Sequence, residues 1–226
     1  MKRLLNSNAA KRSASFVTKK TIDHVVIGLG GLGSSAIYWL AQIGQEKGLN
    51  ESIVGIEQFE LGHERGASHD HSRIIRYSYH TPAYVTLAKE AYETWDFVAD
   101  EFGEELIVRT GGIDLFPKNC AIPISTYKDS LDAVGVPYEL LDAAEIMKRY
   151  PQFKLSADVI GLSQAETGIA PAAKGTAAHQ KLAQKRGVEI KPSTRVMSLH
   201  SNGDGDITIA TDKCVYNTSW YLLLLF

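Results

Sequence analysis

The first ordered pattern of apolar positions predicts a strand, a tight turn, a helix and a second strand. Residues 24–28, His-Val-Val-Ile-Gly, form an apolar β-branched run that stops at glycine. Apolar positions then recur every three or four residues over residues 32–45, and residues 52–57 repeat the buried-strand pattern. A unit of this kind joins two parallel strands through a right-handed crossover. The sequence therefore predicts a parallel sheet that begins at residue 24.

Further helical and strand patterns follow along the chain. Helical spacing predicts helices over residues 81–102 and 171–186, and Asp142 with Glu145 predicts the capped start of a short helix. Alternating or β-branched runs bounded by turn residues predict the remaining strands. These runs occupy residues 107–116 around a glycine turn, 188–190, and the hairpin 194–200 with 206–211.

Composition is typical of a folded globular protein. The 226 residues are 44% apolar and 22% charged, which predicts one or two domains and excludes a disordered or fibrous chain. The net charge of −2 argues against a nucleic-acid partner, which normally needs a basic excess. The longest apolar run, residues 220–226, is far shorter than the roughly 20 residues that cross a bilayer. We expect neither a nucleic acid nor a membrane as partner.

The net charge combines a basic leader with an acidic body. Residues 1–22 contain six bases and no acid, which leaves 18 bases against 26 acids in residues 23–226. A basic, serine-containing leader is typical of a mitochondrial transit segment, and a disordered tail is an equal alternative. We expect residues 1–22 to be a flexible or targeting leader outside the fold.

The two cysteines, Cys120 and Cys214, are widely separated in sequence. Their spacing provides neither a disulfide framework nor a close pair of metal ligands. We expect no metal, a reducing compartment, and a buried apolar role for each cysteine.

Gly28, Gly30 and Gly33 form the pattern G-x-G-x-x-G between a predicted strand and a predicted helix. In that context backbone N–H groups and the helix dipole bind a pyrophosphate. Glu57, at the end of the second strand, can accept hydrogen bonds from ribose hydroxyls, whereas NADP would need a cationic partner. NAD and FAD both fit. The alternative is that the glycines serve only the turn and that Glu57 is a solvated acid.

Arg73 and Arg76 flank the apolar pair of residues 74 and 75. A guanidinium binds a carboxylate or phosphate through two hydrogen bonds and keeps its charge when it is desolvated. An anionic ligand would explain both arginines, and surface ion pairing explains them equally well.

These motifs together resemble the monomeric sarcosine oxidase family, which includes N-methyltryptophan oxidase and the peroxisomal sarcosine/pipecolate oxidases, among the D-amino-acid-oxidase-like flavoproteins. The resemblance rests on the glycine motif, on the strand end at Glu57, and on the stretch Ser-His-x-x-Ser-Arg-Ile-Ile-Arg at residues 68–76. The helix pattern from Tyr84 to Trp95 continues it. It covers residues 23–216.

The resemblance implies a fold and an activity. The implied fold class is α/β: a Rossmann-like FAD-binding domain with a parallel sheet, residues 23–105 and 166–226, and an inserted antiparallel α+β piece of a substrate domain, residues 106–165. The implied reaction is FAD-dependent oxidation of a secondary amine or N-methyl amino acid of the sarcosine or L-pipecolate type. Hydride passes to the flavin and O₂ then gives H₂O₂. A monomer acting on a small-molecule amine is expected.

The resemblance also assigns roles to residues of this chain. Arg73 and His69 take the catalytic positions near the flavin, and Arg76 matches the arginine that binds the substrate carboxylate. A loop-packing role is the alternative for His69. The residues implied in FAD binding are Gly28, Gly30 and Gly33 for the pyrophosphate, Glu57 for the ribose, Val196 for the adenine, and Ser72 with Arg73 beside the flavin.

Two departures from the family pattern bear on activity. Asp70-His71 stand where the family commonly has glycine. Similar proteins also continue past residue 211 with further substrate-domain strands, an oxygen-activating lysine and, in several members, the cysteine that binds FAD covalently, and residues 215–226 stand in their place. We therefore expect non-covalent FAD, a fold that is incomplete at its C-terminus, and exposed apolar edges. The alternative functions are a catalytically inactive FAD-binding fragment and, third, an NAD-binding dehydrogenase.

The sequence leaves the compartment open. The leader is typical of mitochondria and the family includes peroxisomal enzymes, while the terminal Leu-Leu-Phe differs from a peroxisomal S-K-L signal. We expect an intracellular protein, whether peroxisomal, mitochondrial or cytoplasmic.

Overall fold

A computed structural model describes residues 18–203 and 205–224. These residues form five helices and fourteen strands. The helices are α1 (Gly31–Glu46), α2 (Pro82–Phe102), α3 (Ile124–Val134), α4 (Ala143–Arg149) and α5 (Ala172–Lys185). The strands are β1 (Lys19–Thr21), β2 (His24–Ile27), β3 (Ile53–Ile56), β4 (Arg73–Ile75), β5 (Val108–Arg109), β6 (Gly112–Phe116), β7 (Glu139–Asp142), β8 (Ile160–Gln164), β9 (Gly168–Ala170), β10 (Glu189–Lys191), β11 (Val196–Ser201), β12 (Ile207–Thr211), β13 (Val215–Thr218) and β14 (Trp220–Leu223).

A four-stranded parallel sheet in the order β10-β3-β2-β14 forms the centre of the molecule. Helices α1 and α5 cover one face, and their apolar side chains form one core cluster with β2 and β3. Ile37 and Leu182 are fully buried there. The predicted strand–helix–strand unit and its parallel sheet are confirmed.

A second sheet, in the order β1-β13-β12-β11, lies against the other face, where Ile209 and Tyr216 pack with Val25 and Val54. The predicted hairpin is present as β11 and β12. One expectation was wrong: Lys19–Thr21 belong to the fold, because they pair in parallel with β13. The rest of the expected leader, residues 1–17, lies outside the described residues.

The strands between α2 and α5 pair in antiparallel fashion. β6, β8 and β7 form one sheet, as expected for an inserted α+β piece, whereas β5 and β9 form a second sheet with β4, which precedes α2. Asp142 caps α4 by accepting a hydrogen bond from the Glu145 N–H at 2.8 Å, as predicted. The domain boundaries at residues 105 and 165 stay predictions.

Strand β14 forms an edge of the parallel sheet, and its four residues are exposed, Trp220 by 70%. The structure therefore has the exposed apolar edge that the sequence predicted. Within residues 18–203 and 205–224, no helix is both long and apolar enough to cross a membrane.

Candidate functional site

The glycine turn, residues 28–33, connects β2 to α1. Gly28 has a φ of 92°, a left-handed conformation that side chains disfavour, and its N–H donates to the Ile56 carbonyl at 2.8 Å. A Cβ on Gly33 would lie 1.8 Å from the Gly28 carbonyl oxygen. Glycine is therefore required at both positions if the helix is to start this close to the strand end.

The backbone N–H groups in the first turn of α1 are candidate donors for a ligand. Its N-cap, Gly30, makes no side-chain capping bond. The first N–H groups of any helix lack partners within the helix and carry its positive dipole end. Here the Gly31 N–H donates to Ser68 Oγ at 2.9 Å. The turn is thus suited to an anionic group.

Glu57 is held as an acceptor beside the turn. It is only 6% exposed, its Oε2 accepts the Leu29 N–H at 2.9 Å, and its Oε1 accepts the Phe59 N–H at 3.1 Å. His63 Nε2 lies 3.4 Å from Oε1, and His63 Nδ1 accepts the Arg65 N–H. With Nδ1 as an acceptor, Nε2 is the ring nitrogen that can donate to Glu57. The carboxylate is buried, oriented and has further acceptor capacity.

A cavity of about 590 Å³, called here the glycine-turn cavity, opens between these groups. It runs from the glycine turn, past Glu57, to Thr194 and Val196, which follow strand β10 of the parallel sheet. A crevice at the carboxyl ends of parallel strands is where α/β sheets bind ligands. The residues present fit a dinucleotide, with the turn at its pyrophosphate and Glu57 at a ribose.

The arginine strand, residues 73–76, includes β4. Arg73 lies 46% exposed and donates to Asp70 Oδ2 at 2.9 Å, to the Ser72 carbonyl at 2.8 Å and to the Ala67 carbonyl. The Arg73 hydrogen bond lowers the pKa of the Asp70 carboxyl. Arg73 borders a second cavity of about 470 Å³, the helix-face cavity, together with side chains of α1, α2 and α5.

Arg76 faces a different acid. Its Nη1 lies 2.5 Å from Asp114 Oδ1 on β6, and its guanidinium lies 5.7 Å from the centre of the Tyr79 ring. Ser78 Oγ donates to the other Asp114 oxygen. The ion-pairing interpretation is therefore confirmed for both arginines, and an anionic ligand for the exposed part of each guanidinium stays a prediction.

The predicted site residues divide into two groups. Five of the cofactor residues and His69 border the glycine-turn cavity, and His69 Nδ1 lies 2.6 Å from the Gly66 carbonyl. Ser72, Arg73 and Arg76 do not border it. The residues brought together at the cavity are Gly28, Gly30, Gly33, Glu57, Val196 and His69.

Sequence reasoning assigned no role to Ser68, His63 or Gln180, which complete the site. Gln180 Nε2 donates to the Leu29 carbonyl and to Ser34 Oγ, both at 3.0 Å, and so fixes the turn from α5. A polar residue on the buried face of a predicted helix was the signal for Gln180. The Ser68 contact spans 37 residues along the chain, and no local pattern predicts it.

The strand, glycine turn, helix and buried acid define a dinucleotide-binding fold of the Rossmann type. The particular family follows from comparison with known proteins. The model of the family described as "DAO: FAD dependent oxidoreductase" matches residues 23–219. The chain belongs to this family of FAD-dependent oxidoreductases.

Several relatives match most of the chain. Monomeric sarcosine oxidase of Streptomyces avermitilis is 35% identical over 77% of this chain and 45% of its own length. The peroxisomal sarcosine oxidase of Mus musculus is 30% identical over 78% and 44%. N-methyl-L-tryptophan oxidase of Salmonella enteritidis is 26% identical over 89% and 52%. The chain thus spans about half the length of these relatives.

Solved structures show the same fold. NikD, an amino acid oxidase of nikkomycin biosynthesis, superimposes with a TM-score of 0.79 at 23% identity, over 90% of this chain and 51% of its own. L-Proline dehydrogenase of P. horikoshii gives a TM-score of 0.75 at 22% identity, over 92% and 53%. At these identities the likeness concerns the fold alone.

Proposed function

We propose that this chain binds FAD non-covalently and supplies the cofactor-binding portion of an oxidase of secondary amines or N-methyl amino acids, of the sarcosine or L-pipecolate type. One observation carries the proposal: a glycine turn, the start of α1 and a buried acid border a single cavity in a chain of the FAD-dependent oxidoreductase family. The sarcosine oxidases among the relatives support the substrate class.

The residues around the glycine-turn cavity would hold the adenosine end of FAD. The turn formed by Gly28, Gly30 and Gly33 would face the pyrophosphate, because its N–H groups and the dipole of α1 attract anions. Glu57 would accept from the ribose hydroxyls, and the backbone of Val196 would meet the adenine. When bound, FAD supplies the hydride acceptor for amine oxidation, and O₂ then yields H₂O₂.

The arginine strand would serve the reacting end. Arg73 and Ser72, together with His69 from the border of the glycine-turn cavity, would stabilise negative charge that gathers on the flavin. Arg76 would orient the substrate through its carboxylate, which must compete with Asp114 for the guanidinium. Substrate binding is therefore expected to exchange one carboxylate for another at Arg76.

The position of the cysteines supports non-covalent attachment. Neither Cys120 nor Cys214 borders the glycine-turn cavity. The Cys120 thiol donates to the Ile122 carbonyl at 3.1 Å, and Cys214 lies in the turn between β12 and β13 beside Thr211. Neither thiol borders the helix-face cavity either, which supports FAD bound without a covalent link to this chain.

The test is reconstitution with FAD followed by acid precipitation. The purified chain should take up FAD, show the visible absorption bands of oxidised flavin, and release the colour into the supernatant on precipitation. Colour that stays with the pellet would refute non-covalent attachment. A colourless protein that binds NAD instead would refute the FAD proposal as a whole.

A non-catalytic FAD-binding role is the second candidate, because the residues that border the glycine-turn cavity fit the cofactor and not a substrate. Peroxide release separates the two candidates. The oxidase proposal predicts H₂O₂ when the FAD-loaded chain meets sarcosine or L-pipecolate, and the binding role predicts none.

The names of two relatives, one monomeric and one peroxisomal, support a monomer in an intracellular compartment.

A further inference from the structure

The turn between β11 and β12 contains an asparagine followed by a glycine, Asn202-Gly203. Both residues are exposed, and the Asn202 N–H donates to the Asp206 carbonyl at 2.9 Å, which closes the hairpin. Gly203 has a φ of 84°, and a Cβ built on it would meet nothing within 4 Å. Among residues 18–203 and 205–224, the Gly203 N–H has no acceptor. The peptide nitrogen of Gly203 is therefore open to the side chain that precedes it.

The other described asparagines each lack one of these conditions. Asn50 is exposed but precedes a glutamate, whose Cβ crowds its peptide nitrogen. Asn119 precedes a cysteine whose N–H donates to the Pro117 carbonyl at 3.0 Å. Asn217 lies within β13, which pairs with β1 on one side and β12 on the other. In the described part of the chain, only Asn202 combines exposure with a free glycine N–H that follows it.

An asparagine side chain can react with the next peptide nitrogen. The Gly203 nitrogen attacks Asn202 Cγ and forms a C–N bond, the bond from Cγ to Nδ2 breaks, and ammonia leaves with the proton of the Gly203 N–H. Solvent water then opens the five-membered ring at either carbonyl, which gives aspartate or isoaspartate. Glycine favours ring closure because it carries no Cβ beside the attacking nitrogen and adopts many backbone conformations.

One contact holds the Asn202 side chain against this reaction. Its Nδ2 donates to Thr208 Oγ1 at 3.2 Å, and the Thr208 hydroxyl donates in turn to Asn217 Oδ1 at 3.1 Å. A neutral hydrogen bond to an exposed side chain is weak, because water competes for both partners. The contact therefore slows the reaction without preventing it.

We propose that Asn202 is a site of spontaneous modification, at which attack by the Gly203 nitrogen converts the side-chain amide to aspartate or isoaspartate, at a rate that Thr208 restrains. The product adds a negative charge to the turn. Isoaspartate also adds a carbon to the main chain, which displaces the Asn202 N–H from the Asp206 carbonyl. The inference is independent of FAD, because Asn202 and Gly203 do not border the glycine-turn cavity.

The experiment ages the purified full chain in neutral and in mildly alkaline buffer, followed by trypsin and mass spectrometry. Trypsin releases residues 196–213, in which Asn202 is the only asparagine and which contain no glutamine. We expect this peptide to gain about 1 Da, at least about tenfold faster than Asn50 does in its own peptide. The gain should be faster in alkaline buffer, because the attacking nitrogen must lose its proton.

Two glycine variants test the attacking nitrogen. Gly203→Ala should slow the gain at least about tenfold, because the new Cβ hinders the attack. Gly205→Ala is the matched control, since Gly205 has a φ of 97°, its Cβ would also meet nothing within 4 Å, and Asn202-Gly203 is unchanged. Gly205→Ala should age at the wild-type rate.

Thr208→Val tests the restraint. It removes the hydroxyl that accepts from Asn202 Nδ2, so the gain should become about two- to fivefold faster. Circular dichroism of each variant before ageing shows whether its fold is that of the wild type.

No gain at Asn202 in the wild type, or a gain no faster than at Asn50, would overturn the proposal. Equal slowing in Gly203→Ala and Gly205→Ala would overturn it as well, because the shape of the turn would then set the rate instead of the attacking nitrogen. A wild-type rate in Thr208→Val would contradict the restraint by Thr208.

Discussion

The glycine turn and the arginine strand both border cavities, yet different forces hold their functional groups. At the turn, the groups that face the cavity are backbone N–H groups and one buried carboxylate, each fixed by the meeting of β2, α1 and β3. On the arginine strand, the groups are long side chains held by ion pairs with Asp70 and Asp114. The groups at the turn are fixed by the backbone fold, whereas the arginine side chains can change from one ion-pair partner to another.

The difference separates functional groups whose position depends on the backbone fold from those whose position depends on a side-chain ion pair. A helix start cannot turn away from its cavity without unfolding the turn. A guanidinium can exchange one carboxylate for another at little cost, because exposed ion pairs contribute only about 0–1 kcal/mol. We therefore expect substitutions at the turn to change folding and FAD binding together, and substitution of Arg76 on the arginine strand to leave both nearly unchanged.

Gly33→Ala should have the largest effect. The new Cβ would lie 1.8 Å from the Gly28 carbonyl oxygen, which is backbone and cannot move aside. We expect a loss of about 3 kcal/mol or more in the free energy of unfolding, and no measurable FAD binding. Urea unfolding and a FAD titration measure the two effects.

Gly66→Ala is the control for this substitution. Gly66 also borders the cavity, but a Cβ there would meet only His63, at 3.8 Å. Wild-type stability in both variants would contradict the view that the turn is sterically fixed.

Glu57→Ala should have the next largest effect. It removes the acceptor of two N–H groups, those of Leu29 and Phe59, and so leaves them without a partner beside the cavity. We expect a loss of about 2–4 kcal/mol in stability and at least a tenfold weaker affinity for FAD and adenosine alike. Glu60→Ala, at an exposed acid nearby, should change neither. Wild-type adenosine affinity in Glu57→Ala would show that Glu57 does not bind the ribose.

His179, which borders the helix-face cavity and is 5% exposed, should make the stability of the protein depend on pH. Burial lowers the pKa of His179 below the ordinary 6.5, and the hydrogen bond to the Gly175 carbonyl opposes this shift only in part. As the pH falls, the histidine therefore takes up its proton in the unfolded chain before it does so in the folded one. The free energy of unfolding is thus highest above the ordinary pKa and decreases as the pH falls below it.

The decline is measured by unfolding at pH values from about 7 to about 5. His179→Gln should lose about 1 kcal/mol less than the wild type over this interval. His200→Gln, at an exposed histidine, should follow the wild type. Parallel curves for all three proteins would show that His179 does not contribute to the pH dependence.

Arg76→Ala should have the smallest effect. Arg76 does not border the glycine-turn cavity, and its ion pair with Asp114 is partly exposed. We expect FAD affinity within about twofold of the wild type and a stability loss below about 1 kcal/mol. A tenfold loss of FAD affinity would contradict the comparison, since Arg76 would then help to build the cofactor site.

The parts of the fold that local patterns determine could be predicted from the sequence. β2, α1 and β3 follow from periodicity and glycine, and α2 ends before Gly103, whose φ of 79° is the left-handed helix stop. β9 was missed because its three residues are stabilised by pairing with β4 and β5, which lie far away in sequence. β1 was missed because a basic leader gives no apolar pattern until its partner β13 is known.

The candidate site divides in the same way. Gly28, Gly33 and Glu57 were predictable because their chemistry depends on the strand–turn–helix unit in which they lie. Ser68 and Gln180 reach the turn from elements 37 and about 150 residues away, so only the folded chain reveals them. The acid that pairs with Arg76, Asp114, was hidden for the same reason.

The most direct test of the central claim is a titration of the purified chain with FAD and, separately, with NAD, followed by protein fluorescence and calorimetry. The claim predicts saturable binding of one FAD per chain, released intact by acid, and much weaker binding of NAD. A chain that shows folded circular dichroism but takes up no FAD would contradict it.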